Sequence, residues 1–247
     1  MDNLKTKFGK RKVKANEKTS LVQSLFTNVS EQYDLMNDFM SLGSHRLWKK
    51  RFIEIINIQK NDKIADVGSG TGDLIELILK KNIDAYIYSI ELNRNMQKLC
   101  KKKFRNNNKR KNIHFINSNA EQLNFNDNFF DKYLISFCLR NITYIEKALN
   151  EAYRVLKPGG AFYCLEFSDP NSSLLDFIYY KYRSKIIPKI GDKVSKNKNA
   201  YKYLEESIGE FPSQEILLSK IKKAGFQETS FVNLFNGIVC IHIGYKV

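Results

Sequence analysis

Residues 63–74 read KIADVGSGTGDL: a short apolar run that breaks into three glycines, Gly68, Gly70 and Gly72. A buried strand ending in a glycine turn that opens a helix (72–81) is the usual seat of a nucleotide-like ligand. The alternation continues downstream. Strands are expected at 84–92, 112–120, 129–139 and 161–168, and helices at 93–107 and 144–156, the latter stopped by Lys157-Pro158-Gly159-Gly160. Strands alternating with helices at this pitch predict a doubly wound, mostly parallel sheet that binds ligands at the carboxyl ends of its strands. Before the sheet, residues 20–56 place apolar side chains at helical spacing with a break at Gly43, which predicts two or three helices. After Ser168 the alternation stops, and 169–210 reads as a helical insertion mixing aromatic and basic residues. A helix over 213–226 and two apolar runs flanking Asn236-Gly237 close the chain. That dipeptide predicts an antiparallel hairpin, which brings the sheet to seven strands.

The glycines narrow the ligand. The dinucleotide fingerprint is G-x-G-x-x-G, with the pyrophosphate on the helix N-terminus. Here the spacing is G-x-G-x-G, and Asp73 holds the place of the third fingerprint glycine. A carboxylate there opposes a pyrophosphate, and the missing G-K-[ST] ending excludes a P-loop. Asp66 before the turn suits a ligand with an ammonium and no phosphate, a description that S-adenosylmethionine fits. Glu91, at the end of the second strand, stands where an acid would accept the ribose hydroxyls. Asn119 and Ala120, after the third strand, would meet the adenine edge. Gly68 and Gly70 would let the backbone approach the ligand.

The formal charge of +15 attracts polyanions, either nucleic acid or an anionic membrane. A chain rich in Lys, Asn and Ile also acquires such a charge from composition alone. Cys100, Cys138, Cys164 and Cys240 show no metal-site spacing, so no metal is expected and the thiols read as reduced. No run approaches the roughly 18 apolar residues of a spanning helix. The first residues lack a secretory apolar core. Residues 1–19 read as a loose basic arm, and 20–247 as one domain.

Two longer stretches are more specific. YDLMNDFMSLGSHRLW (33–48) nearly fits the pattern Y-D-x-M-N-x-x-[LIVN]-S-x-x-x-H-x-x-W, with Met40 as a mild departure, and RVLKPGGAFYCLEFS (154–168) fits a second signature throughout. With FCLRNI (137–142) and YKYLEESIGEFPSQEIL (201–217), they make the chain resemble the ubiquinone/menaquinone biosynthesis C-methyltransferases from about Phe8 to Val247. The resemblance implies a Rossmann-like class I methyltransferase fold and S-adenosylmethionine as cofactor, contacted by Thr71, Glu91, Asn119, Ala120 and Ser136. It implies transfer of a methyl group to a ring carbon of a polyprenylated benzoquinol or a demethylmenaquinol. Glu91 stands where relatives often have Asp, and Cys138 replaces a glycine, adding a side chain beside the site.

A ring carbon becomes nucleophilic when its neighbouring phenol loses a proton, so the site needs a phenolate stabiliser and a proton acceptor. Arg140 is expected to stabilise the phenolate and Asn141 to orient the quinol. A surface salt bridge is the competing role for Arg140. Arginine is too basic to be the acceptor. Water is one choice, and His45 another if the N-terminal helices fold over the site; otherwise His45 is a structural histidine. Tyr33, Met36, Phe39 and Trp48 would wall an apolar pocket or simply fill core. The insertion suits a membrane interface, where a prenylated substrate resides. The protein is expected in the cytoplasm, peripheral on the inner membrane or attached to a quinone-biosynthesis complex, with a homodimer also open. No nucleic acid is expected. Two alternatives stand beside this reading: an RNA methyltransferase, although the chain lacks an N-P-P-[YFW] loop, and a non-catalytic cofactor-binding subunit.

Overall fold

The computed structural model describes residues 5–170 and 198–247, apart from the side chains of Phe39, Met40 and Lys198. Most of the aromatic and basic insertion, and the pocket role of Phe39, therefore lie outside the described residues.

Seven strands form one sheet: β3 (Lys63–Val67), β4 (Tyr86–Ile90), β5 (Ile113–Ile116), β6 (Phe130–Ser136), β7 (Leu156–Phe167), β8 (Gln227–Leu234) and β9 (Val239–Tyr245). Their spatial order is β5-β4-β3-β6-β7-β9-β8. The pairs from β5 to β7 are parallel, and β9 runs antiparallel to both β7 and β8. The doubly wound, mostly parallel sheet expected from the alternation is present, with its antiparallel edge at the Asn236-Gly237 turn. Asn236 takes the left-handed conformation there (φ 57°).

Helices cover both faces. On one face, α3 (Ser44–Ile55) and α4 (Asp73–Lys80) pack Trp48, Phe52, Leu74 and Ile75 against Ile64 and Ile87. On the other, α6 (Ile145–Val155) packs Leu149 and Ala152 with Leu217 and Ile221 against Ala65, Val67 and Ile135. Strand side chains alternate, so Asp66 lies on the face of Ile64, beneath α3 and α4. Gly72, at φ 90°, opens α4, and a Cβ there would lie 2.6 Å from the Phe104 ring and 2.7 Å from Cys100 Sγ. Only glycine lets α4 approach α5 (Arg94–Lys103) so closely.

Three elements precede the sheet on its ligand side: α1 (Ala15–Val29), α2 (Tyr33–Ser41) and α3. Gly43 (φ 76°) breaks α2 from α3, as expected. The loose arm expected over 1–19 is a correction: from Lys5 onward it is ordered. β1 (Lys5–Phe8) and β2 (Arg11–Lys14) form an antiparallel hairpin that leads directly into α1. The cause is α7 (Lys198–Gly209), nearly two hundred residues away. Phe8 stacks on Tyr203 at 4.3 Å, the Lys10 N–H donates to Glu206, and Lys7 pairs with Glu210. β7 also begins earlier than expected, at Leu156. Its register with β6 shifts between Phe130 and Lys132, accommodating Lys157–Gly160.

Candidate active site

From β3 the chain moves outward to β4 and β5, and from β6 it moves outward to β7. The crevice at this switch point holds two adjoining cavities that share Tyr33, Gly68, Gly70, Ser136 and Phe137.

The first cavity lies over the ends of β3 and β4. Gly68, Gly70, Glu91, Asn119, Ala120 and Ser136 all line it, six of the eight residues expected to bind the cofactor. Gly68 has φ 68°, and a Cβ there would lie 2.2 Å from Cys138 Sγ. Cys138 therefore packs onto the turn as a neutral thiol, its pKa pushed well up by burial. Glu91 is fixed by two backbone donors: the Gly70 N–H at 3.0 Å and the Asn93 N–H at 2.7 Å. Burial raises its pKa and these donors oppose the rise. Asn119 accepts the Glu121 N–H at 3.0 Å, which shapes the turn after β5. The outer wall is α1, tied down by Asn93, whose amide donates to the Gln23 carbonyl and the Thr27 hydroxyl, both at 3.0 Å.

The second cavity lies towards α2 and α3. It takes in the remaining two expected binders, Asp66 and Thr71, and brings them to Asn37, His45, Lys49 and Arg140. Asp66 is 1% exposed and its Oδ2 has no protein partner. Burial raises its pKa to about 7, with Lys49 opposing and Glu91 and Asp73 adding to the rise. Thr71 donates to Asp34 at 2.7 Å, which pins the start of α2 to the glycine turn. Asp73, the residue that argued against a pyrophosphate, is bound by Lys49 at 2.7 Å and Lys103 at 3.4 Å. Burial would raise its pKa, but the two lysines outweigh it and hold the carboxyl at about 2.

Arg140 and Asn141 occupy a short turn after β6. Phe137 precedes it at φ 52°, strained for a phenylalanine, and its carbonyl accepts from Arg140 Nη1 at 2.6 Å. Arg140 is not on the surface. Its side chain is 6% exposed and paired with Glu166 at 2.8 Å. Burial opposes the charge, yet Glu166 with Tyr33 and Tyr203 keeps Arg140 above its ordinary range, a permanent cation. Its Nε has no protein partner. Asn141 lines the first cavity, and its Oδ1 accepts the Tyr203 hydroxyl at 3.0 Å. Tyr33 lines both cavities. Met36 is buried in a cluster with α7, and Trp48 in the core beneath α3, so both are core residues.

Asp34, Lys49, Glu166 and Tyr203 each hold a site residue and were not singled out by sequence. Asp34, Glu166 and Tyr203 fall inside the matching motifs, so the motifs themselves were the available signal for their presence though not for their partners. Lys49 and Glu166 act through partners 24 and 26 positions away, respectively, a relation no local pattern encodes.

The site fits S-adenosylmethionine. Two buried polar atoms, Asp66 Oδ2 and Ser136 Oγ, lack protein partners, and the glycine turn leaves room beside them. Glu91 supplies a second carboxylate at the far side of the same turn. Among the described residues, no cluster of His, Cys, Asp or Glu could hold a metal ion.

Comparison with known proteins agrees with this geometry. The ubiE/COQ5 methyltransferase family matches residues 12–246. A protein of Rickettsia bellii named ubiquinone/menaquinone biosynthesis C-methyltransferase UbiE is 50% identical, over 98% of this chain and 99% of its own length. The protein of the same name from Rickettsia prowazekii is 48% identical over the same shares. Among solved structures, a SAM-dependent methyltransferase from Thermotoga maritima superposes with a TM-score of 0.64 at 20% identity, over 92% of this chain and all (100%) of the other. A phosphoethanolamine N-methyltransferase 2 from Haemonchus contortus, solved with S-adenosyl-L-methionine, gives 0.60 at 14% identity, over 80% of this chain and 52% of the other. At these identities the structural likeness shows the fold alone.

Proposed function

The chain belongs to the ubiE/COQ5 methyltransferase family and is an S-adenosylmethionine-dependent methyltransferase; from that premise we propose that it methylates a ring carbon of a polyprenylated benzoquinol or demethylmenaquinol in quinone biosynthesis. One observation carries the reading: a buried arginine, with one donor unspent, lies in the cavity that adjoins the cofactor cavity.

The cofactor, when bound, supplies an electrophilic methyl group. Asp66 would receive its ammonium, Glu91 its ribose hydroxyls, and Asn119 with Ala120 its adenine edge. Ser136 lines both cavities and Thr71 the second, where each would contact the cofactor. The remaining work is alignment and charge. Arg140 Nε would donate to the phenolate oxygen, and the Glu166 pair fixes the guanidinium in place beforehand. Asn141, held by Tyr203, would orient the ring. The test is turnover of a demethylated quinol with methyl-labelled cofactor. Label in the ring carbon supports the reading, and none ends it.

The substrate's tail requires access from a membrane, and the corner between α2 and α3 suits that approach. Leu35, Leu42 and Leu47 are 48%, 75% and 59% exposed, beside the exposed Arg46, Lys50 and Arg51. Leu42 also adopts φ 50°, which costs about 1 kcal/mol for a side chain that packs on little. Exposed leucines flanked by cations suit an anionic lipid surface. No helix among the described residues is long and apolar enough to cross a membrane, so the contact proposed is peripheral, from the cytoplasm. Sedimentation with anionic liposomes at low salt checks it, and absence of binding refutes it. Sedimentation of the protein alone reads whether it forms a homodimer.

A further inference from the structure

Methylation at a ring carbon leaves that carbon holding both its original hydrogen and the new methyl group. Aromaticity returns when the C–H bond breaks, its electron pair enters the ring, and a base takes the proton. Most groups in the second cavity cannot be that base. Arg140 is a cation paired with Glu166. Asp73 is held by two lysines at a pKa of about 2. Tyr33 is pushed up to about 12 by burial, so its hydroxyl keeps its proton. Asp66, in the role proposed above, would be an ionised partner of the cofactor's ammonium and so would be occupied.

His45 remains. It lies in the first turn of α3, is 5% exposed, and lines the same cavity as Arg140. Its Nε2 is 2.8 Å from Asp38 Oδ1. Asp38 also receives Arg46 through two bonds of 2.7 Å, and Arg46 and His45 hold its carboxyl well below the ordinary range. A carboxylate only accepts, so Nε2 carries the proton. Burial, then the charge of Lys49, depresses the imidazole pKa, with Asp38 and Asp73 opposing. The helix N-terminus disfavours an imidazolium as well. Asp66 from β3, Asp34 at the start of α2, and the Arg140–Glu166 pair after β6 complete the charged surroundings. The neutral ring therefore keeps its lone pair on Nδ1, which is buried and has no protein partner.

We infer that His45 is the proton acceptor of the methylation, taking the ring proton on Nδ1 while Asp38 holds Nε2–H. This rests on the ring-methylation reading above. The methylated ring then returns to its phenolate, and the imidazolium formed gives its proton to solvent after product leaves.

The test uses the full chain with demethylated quinol, unlabelled or deuterated at the reacting carbon. His45→Asn should lower kcat about 10²-fold or more, leave the calorimetric Kd for cofactor within about threefold, and raise the ring-deuterium isotope effect as proton removal becomes limiting. Asp38→Asn should lower kcat about tenfold and move the acid limb of the kcat–pH profile to lower pH, because the carboxylate that raises the imidazole pKa is gone. A folded H45N with kcat and isotope effect unchanged overturns the proposal. If H45N does not fold, an unmoved acid limb in D38N overturns it. A third readout is independent of turnover. Long-range proton–nitrogen spectra of the wild type should show His45 neutral and protonated on Nε2. A proton on Nδ1 overturns the proposal, even where the quinol reading itself has failed.

Discussion

Replacing Asp66 by asparagine should remove most of the pH dependence of both stability and cofactor binding. Burial lifts this carboxyl from an ordinary 3.8 to about 7. The gap corresponds to about 4 kcal/mol. The sign follows from proton linkage. The folded, ligand-free protein holds this proton more tightly than the unfolded chain does. The contribution is full below about pH 3.8 and is lost as pH rises through about 7. Between pH 5.5 and 8 the wild type should therefore lose about 2 kcal/mol that D66N keeps, read from urea unfolding at each pH. Cofactor binding runs the other way. An ammonium needs the ionised carboxylate, so below about pH 7 binding must release this proton. Affinity should rise about 20-fold from pH 5.5 to 7.5 in the wild type and at most about threefold in D66N. The residual slope in the variant belongs to Glu91, whose pKa burial also raises. The assay is calorimetry in two buffers of different ionisation enthalpy, which counts the proton released. A wild-type affinity that is flat across this range, or a D66N that keeps the slope, would refute the assignment of Asp66 to the ammonium.

Three further outcomes are expected. Gly68→Ala sets a Cβ 2.2 Å from Cys138 Sγ at a φ of 68° and should cost about 3 kcal/mol in urea unfolding; Cys138→Gly in the same chain should recover only the steric part. Glu166→Gln strips a buried arginine of its counter-charge, so unfolding should show a loss of about 3 kcal/mol; kcat should fall while the cofactor Kd holds. Tyr203→Phe removes the donor to Asn141 at 3.0 Å and leaves a buried oxygen unpaired. It should cost about 1 kcal/mol of stability and raise the quinol KM with little change in the cofactor Kd, measured by steady-state kinetics.

Much of the cofactor site was legible because its information is local. Asp66, the three glycines and Asp73 are neighbours along the chain, and Glu91 and Asn119 each follow the end of a strand. The substrate side was legible only as motif. Tyr33 through Trp48 matched a pattern, but the pattern did not show that Asp34 would bind Thr71 or that Lys49 would bind Asp73. Arg140 was expected at the site, while the surface ion pair set against it has become a buried one with Glu166. The basic arm was misread for a related reason. Lys7 pairs with Glu210 just past α7, and the Lys10 backbone N–H donates to Glu206 on it; charge composition carries no information about which opposite charge lies opposite.

The sequence by itself determined the doubly wound sheet, because strand and helix periods alternate at fixed pitch and a glycine turn ends the first strand. It determined the class of cofactor, because one acid before that turn and one after the next strand leave little else that fits. Tertiary structure decided the chemistry around them. Folding α2 and α3 over the turn buried Asp66 enough to move its pKa to about 7. It also set His45 against Asp38 at 2.8 Å and carried the histidine to the cavity that Arg140 enters. Those properties depend on desolvation and on contacts between separate elements, and neither exists until the helices pack.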